Sequence, residues 1–147
     1  MNFNTVKDSG ARLMNLAHRV ILTASGGRLL STPFGMPTVE LHTTGRKSGL
    51  SRSCYLTAPI HDDHRVVLVA SKGGDDRNPD WYQNLQAHPD AEIVIHGRRH
   101  KVRARTADAA EKSELWPKIV AQYQGYAGYQ RRTTRDIPVV ICELQAG

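Results

Sequence analysis

The sequence is short of cysteine and has no long apolar run, and each shortage removes a class of protein. Only two cysteines, Cys54 and Cys142, occur in 147 residues, too few for a disulfide scaffold. Both sit in strand-like apolar segments, where a free thiol behaves as a small buried hydrophobe. The longest apolar stretches, such as Val66-Val67-Leu68-Val69-Ala70, are about a quarter of the length a bilayer crossing needs. Val20 to Leu22, preceded by His18 and Arg19, is too short for the core of a secretory signal, so a cytoplasmic location is expected. Gly and Pro number 12 and 7, which excludes collagen-like and low-complexity chains. Both the G-x-G-x-x-G turn and the alternation of strand and helix are missing, which argues against an ordinary nicotinamide site.

Acidic residues are outnumbered as well. Fourteen Asp and Glu against 20 Lys and Arg give a net charge of +6, and the imbalance favours an anionic partner: nucleic acid, an anionic membrane surface or a phosphorylated small molecule. The length suits a single domain that buries roughly 70% of its unfolded surface without staples.

Periodicity divides the chain. Leu13, Leu16, Ala17, Val20, Ile21 and Ala24 recur at three- and four-residue steps, the stripe of an amphipathic helix ended by Gly26-Gly27. Such a helix covers a core or rests on a lipid surface. Thr32 to Pro37 reads as a turn-rich connector, so residues 1–37 form a helix and linker and residues 38–147 the main domain. Strands are expected over Thr38–Thr43, Arg52–His61 and Arg65–Ala70, the last two joined by a turn at His61-Asp62-Asp63-His64. Asn78-Pro79 has the form of a helix cap followed by a first-turn proline, for a helix through Trp81 and Leu85 that stops at His88-Pro89. Ala91–His96 and Arg99–Thr106 are the next strands. Asp108 and Glu111 form a capping box for a helix that Pro117 should kink or break, and Ile137–Leu144 is the last strand. About six antiparallel strands with few helices indicate a mainly β, α+β domain built on a closed or nearly closed barrel.

Four segments carry candidate chemistry. Thr43-Thr44-Gly45-Arg46-Lys47-Ser48-Gly49, with Arg52, combines a tight turn with cations suited to phosphate or carboxylate, and is not a Walker loop. Ala70-Ser71-Lys72-Gly73-Gly74 follows the most apolar strand and brings backbone amides and an ammonium to a strand end. Arg99, Lys101, Arg103 and Arg105 alternate on one strand; with no aromatic residue between them, a solvated face explains them better than a nucleic-acid stripe. Tyr123, Tyr126 and Tyr129 recur every third residue, which sets three phenols along one edge, as core residues or as the wall of a site. The His61–His64 cluster cannot aim four adjacent side chains at one ion, and no metal site is expected.

Leu41 to Gly49, Ala70 to Gly74, Asn78 to Leu85 with His88-Pro89, and Tyr129 to Val140, in that order, resemble the deazaflavin-dependent nitroreductase family. Its members are coenzyme F420-dependent quinone, enone and nitro reductases of actinobacteria with a split β-barrel of the FMN-binding type. The resemblance implies that the protein is an oxidoreductase passing a hydride from reduced coenzyme F420 to a small-molecule acceptor. It implies that Arg46, Lys47, Arg52 and Lys72, with Ser48, Gly49 and Gly73 in the turns beside them, receive the anionic tail of the coenzyme. Ala70, Ser71, Trp81 and Asn84 then border the deazaflavin, and Ser71 with Tyr123, Tyr126 and Tyr129 line the substrate side as candidate catalytic residues. Ser51 stands where the family often has proline. Two other readings remain open: a non-catalytic deazaflavin- or flavin-binding module, and a small basic nucleic-acid binder. A monomer or weak homodimer without nucleic acid is expected, with membrane contact through the N-terminal helix left open.

Overall fold

The computed structural model describes residues 35–146. The expected N-terminal helix lies outside them. The chain runs β1 (Thr38–Thr44), β2 (Ser51–Thr57), β3 (Ile60–His61), β4 (Arg65–Val69), a 3₁₀ turn (Lys72–Gly74), α1 (Asp80–Ala87), β5 (Asp90–Ile95), β6 (Arg98–Thr106), α2 (Ala109–Gln122), α3 (Gly125–Arg131) and β7 (Val139–Leu144). All strands join one sheet in the order β2-β1-β5-β6-β7-β4-β3, and every pairing is antiparallel.

Alternation decides which side chains meet. Val39 and Leu41 of β1, Ile93 and Ile95 of β5, Val102 and Ala104 of β6, Cys142 of β7 and Val66 and Leu68 of β4 share one face and one buried cluster, closed by Tyr82 and Leu85 of α1. A single cluster drawing on strands across the whole sheet means the sheet curls around it, the half-barrel of a mainly β protein. The opposite face of β4 and β7 is also apolar. Val67, Val69, Val139 and Ile141 there pack against Leu115 and Ile119 of α2 and Tyr126 of α3, which is why β4 reads as a continuous apolar run rather than an alternating one.

Several sequence expectations are corrected. Among the described residues there are seven strands instead of about six, because the expected strand Arg52–His61 breaks at Ala58-Pro59: proline has no N–H for the ladder, and the two-residue β3 pairs with β4. Pro79 is itself the cap residue of α1, with no side-chain cap bond, and the carboxamide of Asn78 accepts from Arg135 instead. Pro117 does not end α2. Pro117 and Ser113, whose carbonyl loses its partner, are both exposed, so water replaces the missing bond while Leu115 and Ile119 hold the helix down. The capping box is as expected: Asp108 accepts from the Glu111 N–H at 2.8 Å, and Glu111 accepts from the Asp108 N–H at 3.1 Å. The two-residue turn between β5 and β6 is His96-Gly97, both at positive φ (51° and 75°), as a primed hairpin turn requires.

Candidate functional site

The strand register brings the candidate segments to one end of the sheet. Thr44 pairs with Ser51 and Val69 with Val139, so the β1–β2 loop, the segment after β4 and the approach to β7 all emerge on that side. Strand β5 begins there too, directly after α1.

The β1–β2 loop is closed by Gly45 N–H to Leu50 O at 2.8 Å and Gly49 N–H to Gly45 O at 2.9 Å. Asn84 of α1, 5% exposed, accepts the Arg46 backbone N–H at 3.0 Å and Nη1 at 3.4 Å and donates to the Thr43 hydroxyl at 3.2 Å. The turn is thereby tied to the helix. Arg46 also lies 3.6 Å from the exposed Asp80 carboxylate. Lys47 and Arg52 are exposed. Arg52 reaches the Ser48 hydroxyl at 3.5 Å, and Ser48 also accepts from the Leu50 N–H at 3.1 Å. Trp81 is half-buried, edge-on to Tyr82 with ring centroids 6.3 Å apart.

The segment after β4 turns sharply. Lys72, Gly73 and Gly74 all have positive φ, 46°, 63° and 85°, a conformation costly for lysine. Gly74 is required by close approach as well: a Cβ there would lie 2.8 Å from the Tyr129 carbonyl and 2.9 Å from the Arg132 Cβ. This turn and α3 are therefore in contact, and Arg132 donates to Gly73 O at 3.2 Å while its guanidinium stacks 5.7 Å over the Tyr129 ring. Ala70 is fully buried and Ser71 is 8% exposed. Among the described residues the Ser71 hydroxyl has no hydrogen-bond partner, and Ser71 stands directly before the Lys72–Gly74 turn. Burial alone would raise the Asp75 carboxyl, but the Arg77 backbone and guanidinium outweigh it and hold the group below its usual range.

The three tyrosines form a triangle rather than one edge. Tyr123 caps α2 and the others lie on α3, so the rings meet edge-to-face at 5.5, 6.1 and 6.3 Å. Tyr126 is 6% exposed, and its hydroxyl is 3.0 Å from that of Thr57 at the end of β2. Burial raises its phenol. Burial and the bond to Tyr123 push Tyr129 up to about 12. Both stay protonated at neutral pH.

On β6 most of the cations are paired within the described residues. Arg99 meets Glu92 at 2.5 Å, Arg103 meets Asp90 at 3.4 Å, and Arg105 meets Glu111 and Glu143 at 2.7 and 2.6 Å, so the alternating stripe on β6 is largely neutralised. Asp62 accepts from the His64 and Arg65 N–H groups at 2.7 and 3.0 Å, which makes the histidine cluster a turn. Cys54 and Cys142 are free thiols, pushed up to about 12 by burial. Sequence reasoning gave no role to Arg135, whose guanidinium donates to four acceptors between Ala70 and Asn78. Arg135 lies within the Tyr129–Val140 segment that carries the family resemblance, which assigns it no role.

The sequence matches the F420H(2)-dependent quinone reductase family over residues 14–144. The chain belongs to that family. Among its curated relatives is an F420H(2)-dependent quinone reductase of Mycobacterium tuberculosis, 39% identical over 137 residues and matched over 90% of each chain. A solved F420-H2 dependent reductase is 37% identical, with a TM-score of 0.66 over 73% of this chain and 94% of that one. A structure described as a domain-swapped dimer is 32% identical, with a TM-score of 0.69 over 94% and 96% of the two chains. Membership makes this quinone reductase relative an oxidoreductase whose electron donor is reduced coenzyme F420, and the curled antiparallel sheet agrees with the split barrel that the sequence resemblance implied.

Proposed function

We propose that the protein reduces quinones with hydride from reduced coenzyme F420, and accepts activated enones and nitro compounds at the same site. The quinone acceptor rests on the family and on its curated relatives; enones and nitro compounds rest on the sequence resemblance alone. The donor chemistry of the chain fits the coenzyme: Arg46, Lys47, Arg52 and Lys72 stand on two turns at the same end of the sheet, suited to a long polyanionic tail. Asn84 positions the first turn from behind. Trp81, Ala70 and Ser71 border the space between the turns.

The observation that carries the reading is the nearly buried Ser71, its hydroxyl unpaired among the described residues, at the start of a glycine turn whose Gly74 abuts the tyrosine helix. When bound, the reduced coenzyme supplies hydride to an electrophilic carbon of the acceptor. The Ser71 hydroxyl, with Tyr123 and Tyr129, hydrogen-bonds the acceptor oxygen where negative charge gathers and returns a proton to it. Loss of such a donor costs about 2 to 4 kcal/mol in barrier height. Tyr126 supports this wall from the core. The protein acts as a monomer or weak homodimer; the domain-swapped relative makes the dimer worth weighing by sedimentation.

The test is oxidation of reduced coenzyme F420 by menadione, with cyclohexenone and a nitroaromatic alongside, and equilibrium binding of the coenzyme against FMN. Turnover with menadione and tighter binding of the deazaflavin are expected. Equal or tighter FMN binding, or no turnover with any acceptor, rejects the proposal.

A further inference from the structure

Three successive residues at positive φ, one of them lysine, do not form a resting conformation of a free chain. Something must hold the turn. Arg135 is the group placed to do so: Nε donates to Asp75 O at 2.8 Å, Nη1 to Asn78 Oδ1 at 3.0 Å, and Nη2 to Ala70 O at 3.1 Å and Ser71 O at 2.9 Å. All three guanidinium nitrogens are used, and the acceptors lie on both sides of the turn. The Asp75 carboxylate is bonded to Arg77, so Arg135 acts mainly on backbone oxygens. Its own position is fixed by Gln130, which donates to Arg135 O at 2.7 Å and accepts from the Ile137 N–H at 3.0 Å. A lysine, with its donors on one nitrogen, cannot span these acceptors together.

We propose that Arg135 is a positioning residue that holds Ala70 to Asn78 in the left-handed turn presenting Ser71 and Lys72, and so sets how readily the coenzyme is taken up. The proposal rests on the reading that this turn faces the coenzyme. If the turn opens part of the time, coenzyme affinity falls by the fraction of molecules in which it is formed, while bound coenzyme restores it.

The test uses Arg135→Lys and Arg135→Gln in the full chain. In the absence of coenzyme, the Gly74 and Asp75 amides, bonded to Ser71 O and Lys72 O, should exchange with solvent about tenfold faster or more in both variants, while the amides of β4 and β7 keep their protection. With reduced coenzyme F420 and menadione, the coenzyme KM should rise about tenfold and kcat at saturation should change less than about threefold. Unchanged exchange at Gly74 and Asp75, equal loosening of β4 and β7, or an unchanged coenzyme KM in a variant whose turn has loosened overturns the proposal. So does failure of both variants to fold, which would make Arg135 a residue of the fold at large. If the wild type takes up no reduced coenzyme, the functional reading falls instead, and the exchange pattern still decides whether Arg135 holds the turn.

Discussion

The Asn84 carboxamide oxygen accepts Arg46 twice, from the backbone N–H at 3.0 Å and from the guanidinium at 3.4 Å. A residue in the middle of α1 thereby fixes a loop 38 positions away in sequence. Asn84, expected at the deazaflavin edge, has its carboxamide engaged in holding the turn.

Asn84→Ala should leave the Thr43 hydroxyl and the Arg46 amide without partners in a buried place, at a cost of about 1 to 3 kcal/mol in stability. Coenzyme KM should rise with the loosened loop. Denaturant unfolding beside coenzyme titration checks both, and a variant unchanged in both would show that the loop needs no anchor.

Lys47→Ala removes an exposed ammonium and should leave the melting temperature within experimental scatter. Coenzyme KM should increase while kcat at saturation stays near wild type, since a contact to a remote tail holds ground and transition states alike. A collapse of saturating kcat with KM unmoved would contradict the tail-binding role.

Tyr126 separates packing from chemistry. Tyr126→Phe keeps the ring and loses the bond to Thr57 and the weaker one to Met36 Sδ at 3.9 Å, about 1 kcal/mol. Tyr126→Ala opens the second core at about 3 to 5 kcal/mol. Thermal melts should fall in that order, and the Phe variant should reduce menadione close to the wild-type rate. A large loss of kcat/KM in Tyr126→Phe without a change in stability would place the hydroxyl among the reacting groups.

Tyr129 gives an alkaline signature. Its folded phenol is raised from 10.0 to about 12, so the folded state holds the proton more tightly than the unfolded state does. The stability from this group is fully present below pH 10 and is lost as pH rises from 10 to about 12. Tyrosinate absorbance should show late-titrating phenols, from Tyr129 and the buried Tyr126, with a smaller late amplitude in Tyr129→Phe. An unaltered late step in that variant would assign it to another tyrosine.

Much of the frame is legible in the residues alone. Alternation in Thr38–Thr44, the apolar run of β4 and the Asp108–Glu111 box indicate a β protein with cationic turns, because these are local or compositional signals; the deazaflavin partner came from the resemblance that the four ordered motifs carry. The break at Pro59 and the persistence of α2 through Pro117 were less readable. Each depends on whether a missing N–H bond falls in a ladder or against water, and that is settled by neighbours distant in sequence.

The division within the site follows from the same physics. Residue type and spacing determine that Arg46, Lys47 and Lys72 are cations on glycine turns and that Ser71 ends an apolar strand. Tertiary structure alone decided that Asn84 ties down the first turn, that Arg135 holds the second, and that Tyr126 turns its hydroxyl to Thr57 while Tyr129 stands by Gly74. A buried polar side chain takes its role from the partner that satisfies it, and that partner is set by how the chain folds back on itself.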